Sequence, residues 1–227
     1  MKIGILQTGH VAEELIPDNG NYPEIFARFL DSQGLEFDNY AVVDGDFPGG
    51  PDAADGWLIT GSKFGAYEDL PWIAPLEDLI REIYATDRPM IGVCFGHQII
   101  AQALGGRVEK FSGGWSVGAQ AYQLNGENVT LNAWHQDQVV ERPADATVVS
   151  STAFCENAAL VYGDKVFTIQ PHPEIDRAYL QGLLDVRAPG VVPEPLRQDA
   201  MDQLDTPTDS ARLADMFALF FKEKRIA

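Results

Sequence analysis

The sequence predicts a doubly wound α/β fold: a mainly parallel central sheet with helices on both faces, extended by β-hairpins. Three observations predict it. The N-terminal half alternates short apolar runs with segments of three- and four-residue hydrophobic spacing, the pattern of a parallel sheet under helical cover. One run, Met90-Ile91-Gly92-Val93, is apolar throughout, as a strand buried on both faces must be. The chain has 227 residues, 45% of them hydrophobic, which is ample for one continuous core. A single domain over 1–227 is expected, with helices from 175–227 packing back on it.

The elements follow in order. A first strand over 3–6 ends in the Thr8-Gly9 turn. A helix starts near Asn21, with Pro23 in its first turn, and aligns Tyr22, Ile25, Phe26, Phe29 and Leu30 on one face. Gly34 is placed to close it as a C-cap glycine. Strands are expected over 37–43 and 56–60, and a second helix from Pro71 carries Ile73, Leu76, Leu79, Ile80 and Ile83. The strand 90–93 then runs into Cys94 and a helix ending at Gly105-Gly106. Between 108 and 170, short β-rich pieces (119–124, 147–151, 158–162 and 166–170) alternate with turns such as Asn125-Gly126. They read as hairpins attached to the same sheet. After Pro173 the chain turns helical, with a proline-rich loop over 187–195. A last helix buries Leu213, Met216, Phe217, Phe220 and Phe221, whose helical spacing marks core.

Composition excludes several classes of function. With 34 acidic and 16 basic residues, the formal charge is −18. Such a surface repels phosphate backbones and anionic membranes, so neither nucleic acid nor a membrane is expected as partner. The 2 cysteines are too few for a disulfide framework, which points to a reducing compartment, the cytoplasm. Gln7, Thr8, His10, Glu13 and Glu14 interrupt any signal-peptide core. No run approaches the roughly 18 apolar residues of a membrane helix.

The stretch richest in chemistry is Gly92-Val93-Cys94-Phe95-Gly96-His97-Gln98. A nucleophile at a strand-to-helix junction sits on a tight turn, and small residues two before and two after it relieve the crowding. The turn exposes the sulfur near a helix N-terminus, which favours thiolate. A buried cysteine on a parallel strand is the blander alternative; the flanking glycines favour a nucleophile. His172, in Gln170-Pro171-His172-Pro173-Glu174, is the candidate base. Pro173 holds His172 extended, so Glu174, two residues on, projects to the same side and can orient the imidazole. Alone, that histidine reads as an ordinary loop residue; beside the cysteine turn it reads as catalytic. His135 and Asp137 form a His-x-Asp pair without the further ligands a metal needs. His97 reads as a packing residue, His10 as a loop residue near the cleft, and Cys155 as a strand thiol without function. No metal and no cofactor is expected.

Gly-Val-Cys-Phe-Gly-His-Gln followed downstream by Gln-Pro-His-Pro-Glu resembles the class I glutamine amidotransferases. The motif order matches from the first strand to Glu174: the Thr60-Gly61-Ser62-Lys63 turn, the cysteine turn, His135-Gln136-Asp137, then His172 and Glu174. The resemblance implies a flavodoxin-like fold and hydrolysis of a glutamine side-chain amide through a γ-glutamyl thioester. It implies Cys94 as nucleophile, His172 as base and later acid, and Glu174 as orienting carboxylate. The backbone N–H groups of Gly61, Ser62 and Phe95 would form the oxyanion hole, with each donor contributing about 2.7–4 kcal/mol. Gln98 matches a glutamine-contacting position, and Gln136-Asp137 a stretch that binds the α-substituents. The family turn Gly-Gly-Pro stands here as Gly61-Ser62-Lys63, a departure that backbone donors tolerate.

The family usually passes ammonia to a synthase, yet this sequence contains no phosphate-loop motif. The expectation is either a stand-alone hydrolase of a small γ-glutamyl substrate, resembling plant γ-glutamyl peptidases, or a glutaminase serving a separate synthase partner. A general Cys-His peptidase, and a silent binding module on the same fold, are the readings of other classes.

Overall fold

The structure is a computed structural model that describes residues 1–226. From the N-terminus, β1 (Lys2–Leu6), α1 (Ile16–Asn19), α2 (Tyr22–Phe29), β2 (Glu36–Tyr40) and β3 (Gly56–Ile59) are followed by α3 (Ile73–Tyr84), β4 (Met90–Val93) and α4 (Phe95–Ala103). A strand-rich middle comprises β5 (Arg107–Lys110), β6 (Ser116–Leu124), β7 (Glu127–His135), β8 (Asp137–Glu141), β9 (Thr147–Ser151), β10 (Ala159–Tyr162) and β11 (Val166–Ile169). Helices α5 (Arg177–Val186), α6 (Glu194–Asp202) and α7 (Ser210–Glu223) follow.

Nine strands form one mixed sheet in the order β2-β1-β3-β4-β11-β10-β9-β6-β7. The half from β2 to β11 is parallel, and the half from β10 to β7 is antiparallel. Side-chain alternation feeds a core on each face. Trp57 and Ile59 of β3 pack with Leu76, Ile80 and Ile100 from α3 and α4. Leu58, one residue out of phase, packs on the other face with Phe26, Phe217 and Phe220 from α2 and α7. The α/β architecture with helices on both faces is therefore as the sequence predicts.

Several details differ. Helix α2 starts where expected, because Asn21 and Glu24 form a reciprocal capping box, but it ends at Leu30 rather than at Gly34. Ser32 and Gly34 both take positive φ (66° and 65°) in the turn into β2, so Gly34 serves the turn and not the cap. The second strand stops at Tyr40, and 42–44 winds into a short 3-10 turn. Strand β7 is absent from the expected pieces although its period-two pattern is present, with buried Val129, Leu131 and Ala133 alternating with polar Asn128, Thr130 and Asn132; it is joined to β6 through Asn125-Gly126, both at positive φ, as a tight hairpin requires. Not every hairpin joins the main sheet. Strands β5 and β8 pair apart from it, and their Val108 and Val139 enter the core beside α3 and α4. The loop expected over 187–195 ends sooner, since Pro195 lies in the first turn of α6, where a missing N–H costs nothing. Cys155 lies between β9 and β10 rather than on a strand, its N–H held by Thr152 Oγ1 at 2.9 Å.

The topology gathers three loops at one edge of the sheet. Strands β3, β4 and β11 are adjacent and parallel, so the loops after Ile59, Val93 and Ile169 emerge side by side at the carboxyl edge. That edge is where open α/β sheets place ligands.

Candidate active site

Cys94 caps the N-terminus of α4 at φ 52°, ψ −103°, a conformation rare for any residue but glycine. The two flanking glycines are sterically required. A Cβ on Gly92 would lie 2.5 Å from the backbone of Gly96, and one on Gly96 would lie 2.3 Å from the Ile59 carbonyl oxygen. The turn is pinned on both sides: Cys94 N–H donates to Ile169 O at 2.9 Å, and Gly96 N–H to Thr60 O at 3.1 Å. Phe95 is buried against the Trp72 ring, with centroids 5.5 Å apart.

The 60–62 turn after β3 is fastened to the end of β1. Thr8 Oγ1 sits 3.0 Å from the carbonyl oxygens of both Thr60 and Gly61, and Ser62 Oγ donates to Thr8 O at 2.7 Å. Among the described residues, none accepts a hydrogen bond from the backbone N–H of Gly61, Ser62 or Phe95. The Gly61 backbone stands beside the cysteine and the histidine: a Cβ there would be 3.2 Å from His172 Cε1 and 3.9 Å from Cys94 Cβ.

His172 follows β11 and is held by a β-bridge to Asn132 of β7, donating its N–H to Asn132 O at 2.8 Å. The chain does not stay extended after it. It turns at Pro173-Glu174, and that turn brings Glu174 Oε1 to 2.7 Å from His172 Nδ1. Burial opposes the charged imidazole, but the Glu174 carboxylate and then the adjacent Cys94 sulfur outweigh it, and the His172 pKa is raised well above the usual histidine value. His172 Nε2 is buried and bonded to no protein group. The structure thus brings Cys94, His172, Glu174, Gly61, Ser62 and Phe95 to one point.

The other histidines serve differently. His97 is fully buried, with Nδ1 2.8 Å from Thr168 Oγ1, and burial lowers its pKa to about 3. Burial, and then His172, depress His135 to about 3 as well. Both are neutral at pH 7 and too weakly basic to take a thiol proton. His10 contacts Asp44, Gln7 and Asn21 and also lines the cleft. Among the described residues, no group of three or more His, Cys, Asp or Glu is arranged to hold a metal. Among the described residues, no helix is long and apolar enough to cross a membrane.

Cys94 stands between two cavities. The smaller, about 280 Å³, is lined by Gln98, Gln136 and Asp137, together with Tyr67, Glu68 and Lys110. Gln98 donates both amide protons within the protein, to Asp137 O at 2.9 Å and Gln170 Oε1 at 3.1 Å, so it also anchors the start of β8. Burial raises the Asp137 pKa, against the pull of the Tyr67 hydroxyl and Lys110. The larger cavity, about 600 Å³, is lined by His172, Tyr22, Tyr179, Ile175 and Leu183. Ser62, Lys63, Cys94, Trp134 and Arg187 border both. Trp134, Tyr179 and Arg187 are not legible in the sequence as residues of this cleft, because folding alone brings β7 and α5 to its mouth.

Residues 50–178 match the family model for glutamine amidotransferase class-I. The chain is 30% identical to γ-glutamyl peptidase 3 of Arabidopsis thaliana, over 73% of this chain and 74% of that one. It is 33% identical to γ-glutamyl peptidase 4 of the same plant, over 73% and 72%. The crystal structure of a glutamine amidotransferase from Methylobacillus flagellatus superposes with a TM-score of 0.76 over 99% of this chain and 94% of that one, at 21% identity, a likeness of fold. With more than half of its length inside the matched family domain, the chain belongs to the class I glutamine amidotransferase family and is an enzyme, a glutamine amidotransferase-like hydrolase.

Proposed function

We infer that the enzyme hydrolyses the γ-glutamyl amide bond of a small γ-glutamyl compound through a thioester on Cys94. The observation that carries this reading is the cysteine elbow facing a histidine whose Nδ1 is held by Glu174 at 2.7 Å. Cys94 Sγ, its proton already held on His172 Nε2, attacks the γ-carbonyl carbon as thiolate. The negative oxygen of the tetrahedral adduct is received by backbone N–H groups from Gly61, Ser62 and Phe95. The C–N bond then breaks as His172 gives its proton to the departing amine, which leaves a γ-glutamyl thioester. A water molecule, deprotonated by His172, attacks that carbonyl, and collapse of the second adduct returns the thiolate and releases glutamate. Glu174 fixes the imidazole tautomer and stabilises imidazolium throughout.

The smaller cavity suits the glutamyl portion, with Gln98, Gln136 and Asp137 around it. The free cysteines Cys94 and Cys155 fit a reducing compartment, the cytoplasm. The test is glutamate release by the purified protein from glutamine, γ-glutamyl peptides and γ-glutamyl amines, with Cys94→Ala as control. A γ-glutamyl peptide or amine should give a higher kcat/KM than glutamine, the ratio that reports transition-state discrimination. If glutamine is best and turnover stays negligible until a second protein is added, a glutaminase subunit feeding a synthase is the better account.

A further inference from the structure

We propose that Arg187 is a specificity-determining residue for the departing amine, and that this amine carries an anionic group, most simply a carboxylate, which Arg187 receives with Lys63. The inference rests on the γ-glutamyl reading of the site and names the chemistry of the other half of the substrate.

The two cavities at Cys94 are not equivalent. His172, which must protonate the departing nitrogen, lines only the larger one, whereas Gln98 and Asp137 line only the smaller. The departing group therefore occupies the larger cavity. Its volume, about 600 Å³, far exceeds what ammonia needs.

The cations at its border are unusual for this protein. Acidic residues outnumber basic ones 34 to 16, so partners for basic side chains are plentiful. Nine basic residues form ion pairs. Arg28, Lys165 and Lys222 donate instead to backbone carbonyls. Among the described residues, that leaves Lys63, Lys110, Arg142 and Arg187 with neither kind of partner. Three of these four line the cavities at Cys94. Lys110 borders only the smaller cavity, so the glutamyl half has a cation of its own. Arg187 and Lys63 reach the larger one. A planar guanidinium without a partner is suited to bidentate pairing with a carboxylate.

Two features narrow the chemistry. Glu13 and Glu14 also line the larger cavity, so an anion is favoured there only where it reaches Arg187 and Lys63. Val11, Ile175 and Leu183 give the remainder an apolar wall, which fits an amino acid with an apolar side chain. Arg187 caps the end of α5, beyond the 50–178 segment shared with the family.

The test compares γ-glutamyl-leucine, its neutral leucinamide counterpart and a γ-glutamyl alkyldiamine, using wild type, Arg187→Gln and Arg187→Lys, with thermal melting to check folding. Wild type should favour the free carboxylate over the leucinamide by about tenfold or more in kcat/KM, the scale of one charge-assisted pair. In Arg187→Gln that ratio should fall to within about twofold, through loss on the carboxylate substrate, and Arg187→Lys should keep part of it. Equal rates on the two leucine compounds in wild type would refute the inference and leave the γ-glutamyl reading intact. So would a best rate on the diamine, or an equal loss on both leucine compounds in a folded Arg187→Gln. Inertness toward every γ-glutamyl compound would refute both.

Discussion

At Cys94 the backbone holds a positive φ that costs a non-glycine residue about 1–3 kcal/mol, and such strain persists only where the surroundings enforce it. Here the enforcement comes from hydrogen bonds to β11 and β3 on either side. The second cysteine makes a contrast within one molecule. Burial pushes the Cys155 thiol up to about 12, which keeps it protonated and unreactive. A glutamine-like chloroketone should therefore add one equivalent to Cys94 and spare Cys155. Peptide mapping checks this, and a label mainly on Cys155 would remove Cys94 as nucleophile. The residues at the site should also contribute unequally. Cys94→Ala and His172→Ala should each come close to abolishing turnover, because nucleophile and base act as a unit. Glu174→Ala, which loses an orienting group, should retain about 10- to 100-fold more activity than either. Equal loss in all three folded variants would give Glu174 a larger part than orientation.

The supporting elements show why the glycines around Cys94 were legible and other features were not. Gly92 and Gly96 answer to a local crowding problem, so the five residues from one to the other reveal them. Their cost can be measured. Gly92→Ala should destabilise the protein by about 3 kcal/mol, at the upper end of overpacking, because its new methyl meets the Gly96 backbone rather than a movable side chain. Gly49→Ala, with nothing within 4 Å, is the control and should shift stability by less than about 0.5 kcal/mol. Urea denaturation distinguishes them, and similar small shifts for both would show that the elbow relaxes. The His172–Glu174 pairing was legible as a motif, although its stated reason was wrong: the turn at Pro173-Glu174 makes the contact, and the β-bridge from Asn132 positions it. What was hidden is the bridge from β7, a strand whose Val129, Leu131 and Ala133 alternate plainly: tertiary folding places Asn132 beside His172, and no local pattern encodes that. Arg187 was hidden in the same way. Nothing near it in sequence is distinctive, and its place beside Cys94 exists only once α5 has packed against the sheet.

For the molecule as a whole, the arrangement depends on three adjacent parallel strands ending at one edge. Each contributes one loop: the Gly61-Ser62 backbone after β3, Cys94 after β4 and His172 after β11. The antiparallel half of the sheet and α5 then add the walls that divide the cleft into two cavities sharing the sulfur. A formal charge of −18 makes the whole surface unwelcoming to anions, so any anionic substrate must be drawn in by the few cations that face the cleft. The central claim is that an acyl group passes through Cys94. Acid-quenched intact-protein mass spectrometry during steady-state turnover of a γ-glutamyl amide tests this most directly. The expected result is a γ-glutamyl adduct that hydroxylamine removes, that maps to Cys94, and that Cys94→Ala does not form. Rapid glutamate release with no adduct at any quench time, or release that persists in Cys94→Ala, would contradict it.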